Sequence, residues 1–131
     1  MGERAKILLI DDDPDFLESN RIVLETKYDV VTAPSGDEGL QKARSENPDL
    51  ILLDVIMPGT DGFSVADLLK HDAQLSRIPV LMLTSFVERM GETSIPRSRG
   101  VELEAEDYLD KPVAPDELLK RVDVWLKKSG K

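Results

Sequence analysis

Short apolar runs that stop abruptly at polar residues constrain this chain more than any other feature. Lys6-Ile7-Leu8-Leu9-Ile10 ends in Asp11-Asp12-Asp13-Pro14, Leu50-Ile51-Leu52-Leu53 ends in Asp54, and Ile78-Pro79-Val80-Leu81-Met82-Leu83 ends in Thr84. Apolar runs without polar alternation, and far too short for a helix, are the pattern of strands covered on both faces. Tyr28 to Ala33, rich in β-branched residues, predicts a further strand, and Asp107-Tyr108-Leu109-Asp110 a short fifth one. Between them lie helical patterns: Asp15 to Lys27 with Phe16, Leu17, Val23 and Leu24; Ser35 onward through Leu40 and Ala43, stopped by Asn47-Pro48; and Phe63 to Leu69 after a turn at Pro58-Gly59. Asp13 is placed to cap the first helix, with Pro14 as its first residue. A last helix starts at Pro115-Asp116-Glu117, buries Leu118, Leu119, Val122, Trp125 and Leu126, and ends near Lys127-Lys128, whose charges suit the negative end of the helix dipole. Strands alternating with helices need right-handed crossovers, which gives an α/β fold with a parallel sheet and helices on both faces.

The 131 residues suit one domain, expected over 6–127, with 1–5 as an N-terminal tail and 128–131 as a C-terminal tail or the start of a linker. Residues 85–105 break the pattern, because Gly91, Pro96 and Gly100 interrupt any helix there; the fourth helix is expected to be short, broken or displaced. The absence of cysteine excludes disulfides and thiolate chemistry, and a single histidine, His71, excludes a metal site needing two. Seventeen Lys and Arg against 26 Asp and Glu give a net charge of −9, which argues against direct binding of nucleic acid. The apolar runs fall far short of the ~20 residues that span a bilayer. No signal peptide opens the chain, so a soluble cytoplasmic protein without membrane insertion is expected.

In an open parallel sheet, sites form beyond the carboxyl ends of the strands. There the sequence delivers Asp11 and Asp12, Asp54, Thr84 and Lys111. Carboxylates gathered at partly buried positions repel one another, and a divalent ion held by hard oxygens relieves that repulsion. Few protein ligands, all of them oxygens, favour Mg²⁺. A carboxylate beside Mg²⁺, a hydroxyl and an ammonium can accept a phosphoryl group, with aspartate as nucleophile. Taken singly, an acidic pair after a strand is more often a solvated turn or helix cap, and a Lys-Pro such as Lys111-Pro112 more often a loop; their joint place at four strand ends carries the argument.

These residues resemble the receiver domain of two-component response regulators, in the manner of the chemotaxis regulators. The likeness runs from Lys6 to Leu126 through Ile7 to Pro14, Pro48 to Gly62, Pro79 to Thr84 and Tyr108-Leu109-Asp110-Lys111-Pro112. It implies a flavodoxin-like five-stranded parallel sheet of order 2-1-3-4-5. It also implies that Asp54 takes a phosphoryl group from a sensor histidine kinase or phosphotransfer protein in a Mg²⁺-dependent reaction. By the same likeness Asp12, Asp54 and the Ile56 backbone carbonyl ligate the metal, Asp11 orients a metal-bound water, and Lys111 pairs with the phosphoryl group. Thr84 and Tyr108 would switch conformation and alter a surface read by a downstream protein target or output domain. Such a protein is a signalling switch with intrinsic phosphotransfer and autodephosphorylation activity rather than a metabolic enzyme. A cis peptide at Lys111-Pro112 is expected.

Two departures from the family pattern stand out: the long stretch between Thr84 and Tyr108, and apolar Ile56 and Phe86 where residues flank the phosphoryl group. The first carries Arg89, Arg97 and Arg99, which suit either a partner or a solvated loop. The second predicts slow loss of the phosphoryl group. A nucleotide- or flavin-binding domain is disfavoured because the loop after the first strand is rich in Asp and lacks the glycine fingerprint. A phosphate-ester hydrolase is disfavoured because Ile56 stands where a second acid would be needed, and a phosphorylation-independent docking module by the intact Asp54, Thr84 and Lys111. Oligomeric state is left open.

Overall fold

The computed structural model describes residues 4–54, 56–57, 60–85, 107–111 and 113–128. In chain order the elements are β1 (Lys6–Ile10), α1 (Pro14–Leu24), β2 (Asp29–Ala33), α2 (Gly36–Glu46), β3 (Leu50–Asp54), β4 (Ile56–Met57), β5 (Thr60–Asp61), α3 (Gly62–Lys70), β6 (Val80–Ser85), β7 (Asp107–Lys111) and α4 (Pro115–Lys128). The main sheet runs β2-β1-β3-β6-β7 with every neighbouring pair parallel. This is a flavodoxin-like α/β arrangement.

Strand polarity explains why the apolar runs do not alternate. Leu8, Ile10, Ile51, Leu53, Val80 and Met82 pack with Ala43, Val65 and Leu69 on the α2/α3 side. Ile7, Leu9, Leu50, Leu52, Leu81 and Leu83 pack with Leu24, Leu118, Val122 and Leu126 on the α1/α4 side. Past Lys6, which opens β1 half-buried, both faces of β1 and β3 are therefore withdrawn from water, and neither strand carries a polar residue before its carboxyl end.

Local signals set the helix boundaries. The Asp13 carboxylate accepts from the Asp15 and Phe16 amides at 3.0 and 3.4 Å, and Pro14 opens α1 as the sequence predicts. Ser35 Oγ accepts from the Glu38 amide at 3.2 Å to start α2. At the other end of α2, Asn47 adopts a left-handed conformation (φ 49°) and Pro48 follows, which stops the helix. The loop after α3 is tied to α2 by Arg44, which reaches the Asp72 carboxylate at 2.6 Å; that contact and the Gln74 amide hold the Asp72 carboxyl below its usual range.

Two strand boundaries expected from the sequence are corrected. The fourth strand begins at Val80 rather than Ile78, because Pro79 has no N–H for the ladder and offers only its carbonyl, 3.0 Å from the Ile51 amide. The fifth strand extends one residue further, to Lys111. Ile56 pairs antiparallel with Asp61 and Met57 with Thr60, a short pairing the sequence did not announce, and the turn expected at Pro58-Gly59 lies outside the described residues. The irregular stretch with Arg89, Arg97 and Arg99, Phe86, and the Lys111-Pro112 peptide lie outside the described residues.

One glycine is required by packing. A Cβ on Gly39 would stand 2.4 Å from Ile10 Cδ1 and 2.8 Å from Ile10 Cγ1, so α2 crosses β1 at a distance that only hydrogen permits. Gly39→Ala should therefore lower stability in urea denaturation by about 1 kcal/mol or more, the overpacking cost outweighing alanine's better helix propensity. A rise in the urea midpoint would contradict this packing account.

Candidate functional site

Register and strand parity build the site from the backbone. Ile10 stands opposite Leu53 in the β1–β3 ladder, so the next residues, Asp11 and Asp54, are neighbours across the strands. Ile7 and Leu9 face the α1/α4 side, as do Leu50 and Leu52. Asp11 and Asp54 continue those two series and share that face. Both are buried, at 0% and 2% exposure. Asp12, one residue past Asp11, is exposed. One carboxylate oxygen from each of Asp11, Asp12 and Asp54 lies within 4.8 Å of the others.

Asp11 is held firmly. Its amide still donates to the Ala33 carbonyl at 3.1 Å, and its Oδ1 accepts from the Asp13 amide at 2.9 Å. The residue that caps α1 thus also fixes the carboxylate that ends β1. Sequence reasoning found Asp13 only as a cap; the contact with Asp11 spans two residues and has no signature apart from the Asp-rich turn.

Two buried carboxylates and a third at the rim concentrate negative charge where water cannot fully screen it. The donor set consists of carboxylate oxygens, which suits a hard divalent cation that keeps several waters. The cluster can therefore hold a metal, and the residues present fit one.

The remaining residues predicted from sequence are placed by the backbone. Asp54 pairs with Leu83, so Thr84 lies one step beyond the level of Asp54, and Ser85 pairs with Lys111. Tyr108 pairs with Met82, deeper in the sheet, and Ile56 lies in β4 just past Asp54. Asp54 and Lys111 end β3 and β7, and Thr84 stands one residue before the end of β6 between them, so the three backbones gather at one edge of the sheet; the side chains of Ile56, Thr84, Tyr108 and Lys111 lie outside the described residues. His71 is remote from this edge, on the turn after α3, with Nδ1 2.8 Å from the Asp67 carbonyl oxygen. Trp125 packs against the α1/α4 core, with Lys128 Nζ 5.4 Å from its ring centroid.

A doubly wound α/β domain with a metal-competent carboxylate cluster at the carboxyl edge of its first and third strands defines a narrow class. The response regulator receiver domain family matches residues 7–123, and the chain belongs to that family, the signalling switches of two-component systems. It is 41% identical over 125 residues to the alkaline phosphatase synthesis transcriptional regulatory protein PhoP of Bacillus subtilis, a match covering 95% of this chain and 49% of PhoP. It is 36% identical to protein PilH of Pseudomonas aeruginosa, covering 93% of this chain and 98% of PilH. Among solved structures it resembles the chemotaxis response regulator CheY4 of Vibrio cholerae, with a TM-score of 0.81, 31% identity, and coverage of 93% and 98%. The chain spans about half the length of PhoP and of several other regulators it matches, and nearly all of PilH. No helix among the described residues is long and apolar enough to cross a membrane.

Electrostatics of the cluster predicts its response to metal. Mg²⁺ at a hundredfold excess over its dissociation constant should stabilise the wild type by about 2.7 kcal/mol, read as a rise in melting temperature. Asp12→Asn should lose that rise and, in EDTA, should melt no lower than the wild type, because one of three repelling charges is gone. An equal Mg²⁺ response in both proteins would place the binding elsewhere.

Proposed function

We propose that this chain is a phosphoacceptor switch in which Asp54 takes a phosphoryl group from the histidine of a sensor kinase or phosphotransfer protein. The observation that carries this reading is the buried Asp54 carboxylate at the end of β3, with carboxylate oxygens of Asp11 and Asp12 within 4.8 Å. Asp54 is the nucleophile: one of its oxygens forms the new O–P bond as the P–N bond to the donor imidazole breaks and the imidazole leaves. Asp11, Asp12, Asp54 and the Ile56 backbone carbonyl are the residues that would hold Mg²⁺, with Asp11 acting through a water. When bound, Mg²⁺ offsets the negative charge that develops on the phosphoryl oxygens. Lys111 supplies the opposing positive charge from the end of β7, and Thr84 donates its hydroxyl to a phosphoryl oxygen.

Burial of Asp54 serves this chemistry by fixing the nucleophile, so that orientation is set before the donor arrives. Thr84 and Tyr108 lie on adjacent strands, and their rearrangement would carry the phosphorylated state to the outer surface as a shift between two populations. A downstream protein or an attached output domain would read that surface. Residues 6–127 form the receiver unit in this reading.

Acetyl phosphate with Mg²⁺ should add about 80 Da, one phosphoryl group, to the wild type, and nothing to Asp54→Asn or to the wild type in EDTA. No gain by folded protein under any condition would favour a docking module that keeps the residues without the chemistry.

Ile56 bears on the lifetime of the phosphorylated state. A bulky apolar side chain two residues past the acceptor disfavours an attacking water, so the aspartyl phosphate should be long-lived. Ile56→Asn should shorten its half-life, followed by loss of the added mass after removal of donor. An unchanged or longer half-life would count against this role.

A further inference from the structure

Among the described residues no strand pairs with the outer side of β2, and the backbone groups that face outward there can be identified from the ladder. The Asp29 amide donates to the Ala5 carbonyl at 2.9 Å, and the Ala33 carbonyl accepts from the Asp11 amide at 3.1 Å. In a parallel ladder a residue sends both its N–H and its C=O to one side, and its neighbours send theirs to the other. Asp29, Val31 and Ala33 therefore face β1. Val30 and Thr32, and the Tyr28 carbonyl just before the strand, face outward.

Two cations occupy this edge. Arg4 donates from its guanidinium to the Tyr28 carbonyl at 2.8 Å and also to the Glu25 carbonyl. Lys42 reaches across from α2 and donates from Nζ to the Thr32 carbonyl at 2.9 Å. The outward carbonyls on either side of Val30 are thus both covered by positive charge, each from a different part of the chain.

We propose that Arg4 and Lys42 close the β2 edge against strand addition by a second copy of this chain. The geometry of the excluded pairing supplies the reason. Two copies meeting antiparallel about a two-fold axis at Val30 would set Val30 against Val30, and Tyr28 of each copy against Thr32 of the other. Each Arg4 would then meet the other copy's Lys42, twice by symmetry, and both would have to leave their carbonyls. Like charges directly opposed across strands disfavour pairing, and cations on an edge strand are a general protection against it. The Asp29 carboxylate, 4.0 Å from Arg4, offsets part of that repulsion, while Lys42 faces the edge from α2. The inference rests on the backbone register and on the Arg4 and Lys42 contacts, and is independent of the phosphoacceptor reading.

Charge reversal tests it. Lys42→Glu uncovers the Thr32 carbonyl and turns both Arg4–Lys42 contacts into Arg4–Glu contacts, so it should tighten self-association about tenfold or more in sedimentation velocity. Hydrogen exchange should show new protection at the Val30 and Thr32 amides, the two on β2 that face outward. Arg4→Glu combined with Lys42→Glu should return association to the wild-type level. Val30→Pro in the Lys42→Glu background should abolish it, since proline is tolerated where a strand N–H faces solvent. If circular dichroism shows that Lys42→Glu is unfolded, Arg4→Glu creates the mirrored attractive pairs without altering α2. Unchanged association in the folded charge-reversed protein, association without protection at Val30 and Thr32, or association that survives Val30→Pro would each overturn the proposal.

Discussion

The pairing of β1 with β3 is the constraint on which the rest of the molecule depends. Their register sets Ile7 against Leu50 and Ile10 against Leu53, and so brings Asp11 beside Asp54. A slip of one residue would turn every side chain of one strand to the opposite face, placing one carboxylate on the α2/α3 side and opening both half-cores. The hydrophobic core and the acidic site are therefore specified together. The burial that makes the carboxylates costly also makes their position exact enough for chemistry.

That cost is met by local structure. Asp13 joins the end of β1 to the start of α1, capping the helix with its side chain and holding Asp11 with its amide. The Asp-rich turn is thus tied by hydrogen bonds at both ends while Asp12 and Asp13 stay exposed. Membership of the receiver family follows from the whole pattern of strands, helices and strand-end residues, while the proposed phosphoacceptor role rests on the carboxylate cluster within it.

Much of this was legible in the sequence, for physical reasons. Doubly covered strands write themselves as unbroken apolar runs, and caps such as Asp13-Pro14 and Asn47-Pro48 act within a few residues, so β1, β3, α1 and the end of α2 could be placed closely. Asp11, Asp12 and Asp54 could be grouped because parallel strands align their carboxyl ends. The β4–β5 pair was not legible, because two-residue strands carry no periodicity. The late start of β6 was missed because Pro79 lies within an apolar run, although its missing N–H keeps it out of the ladder. Arg4 and Lys42 gave no signal, since what they do depends on the position of a strand edge to which they are not adjacent in sequence.

The sheet also divides the interior. Among the described residues, the cluster on the α2/α3 side and the cluster on the α1/α4 side have no side chain in common. Changes in one compartment reach the other only through the backbone of the strands between them, and well-separated substitutions tend to add rather than couple. The helices on one side can therefore drift in sequence, and with them the surface offered to other proteins, while packing on the other side stays intact. Asp11 and Asp54 end strands that belong to both compartments, so the acidic edge is held in place whichever side is changing.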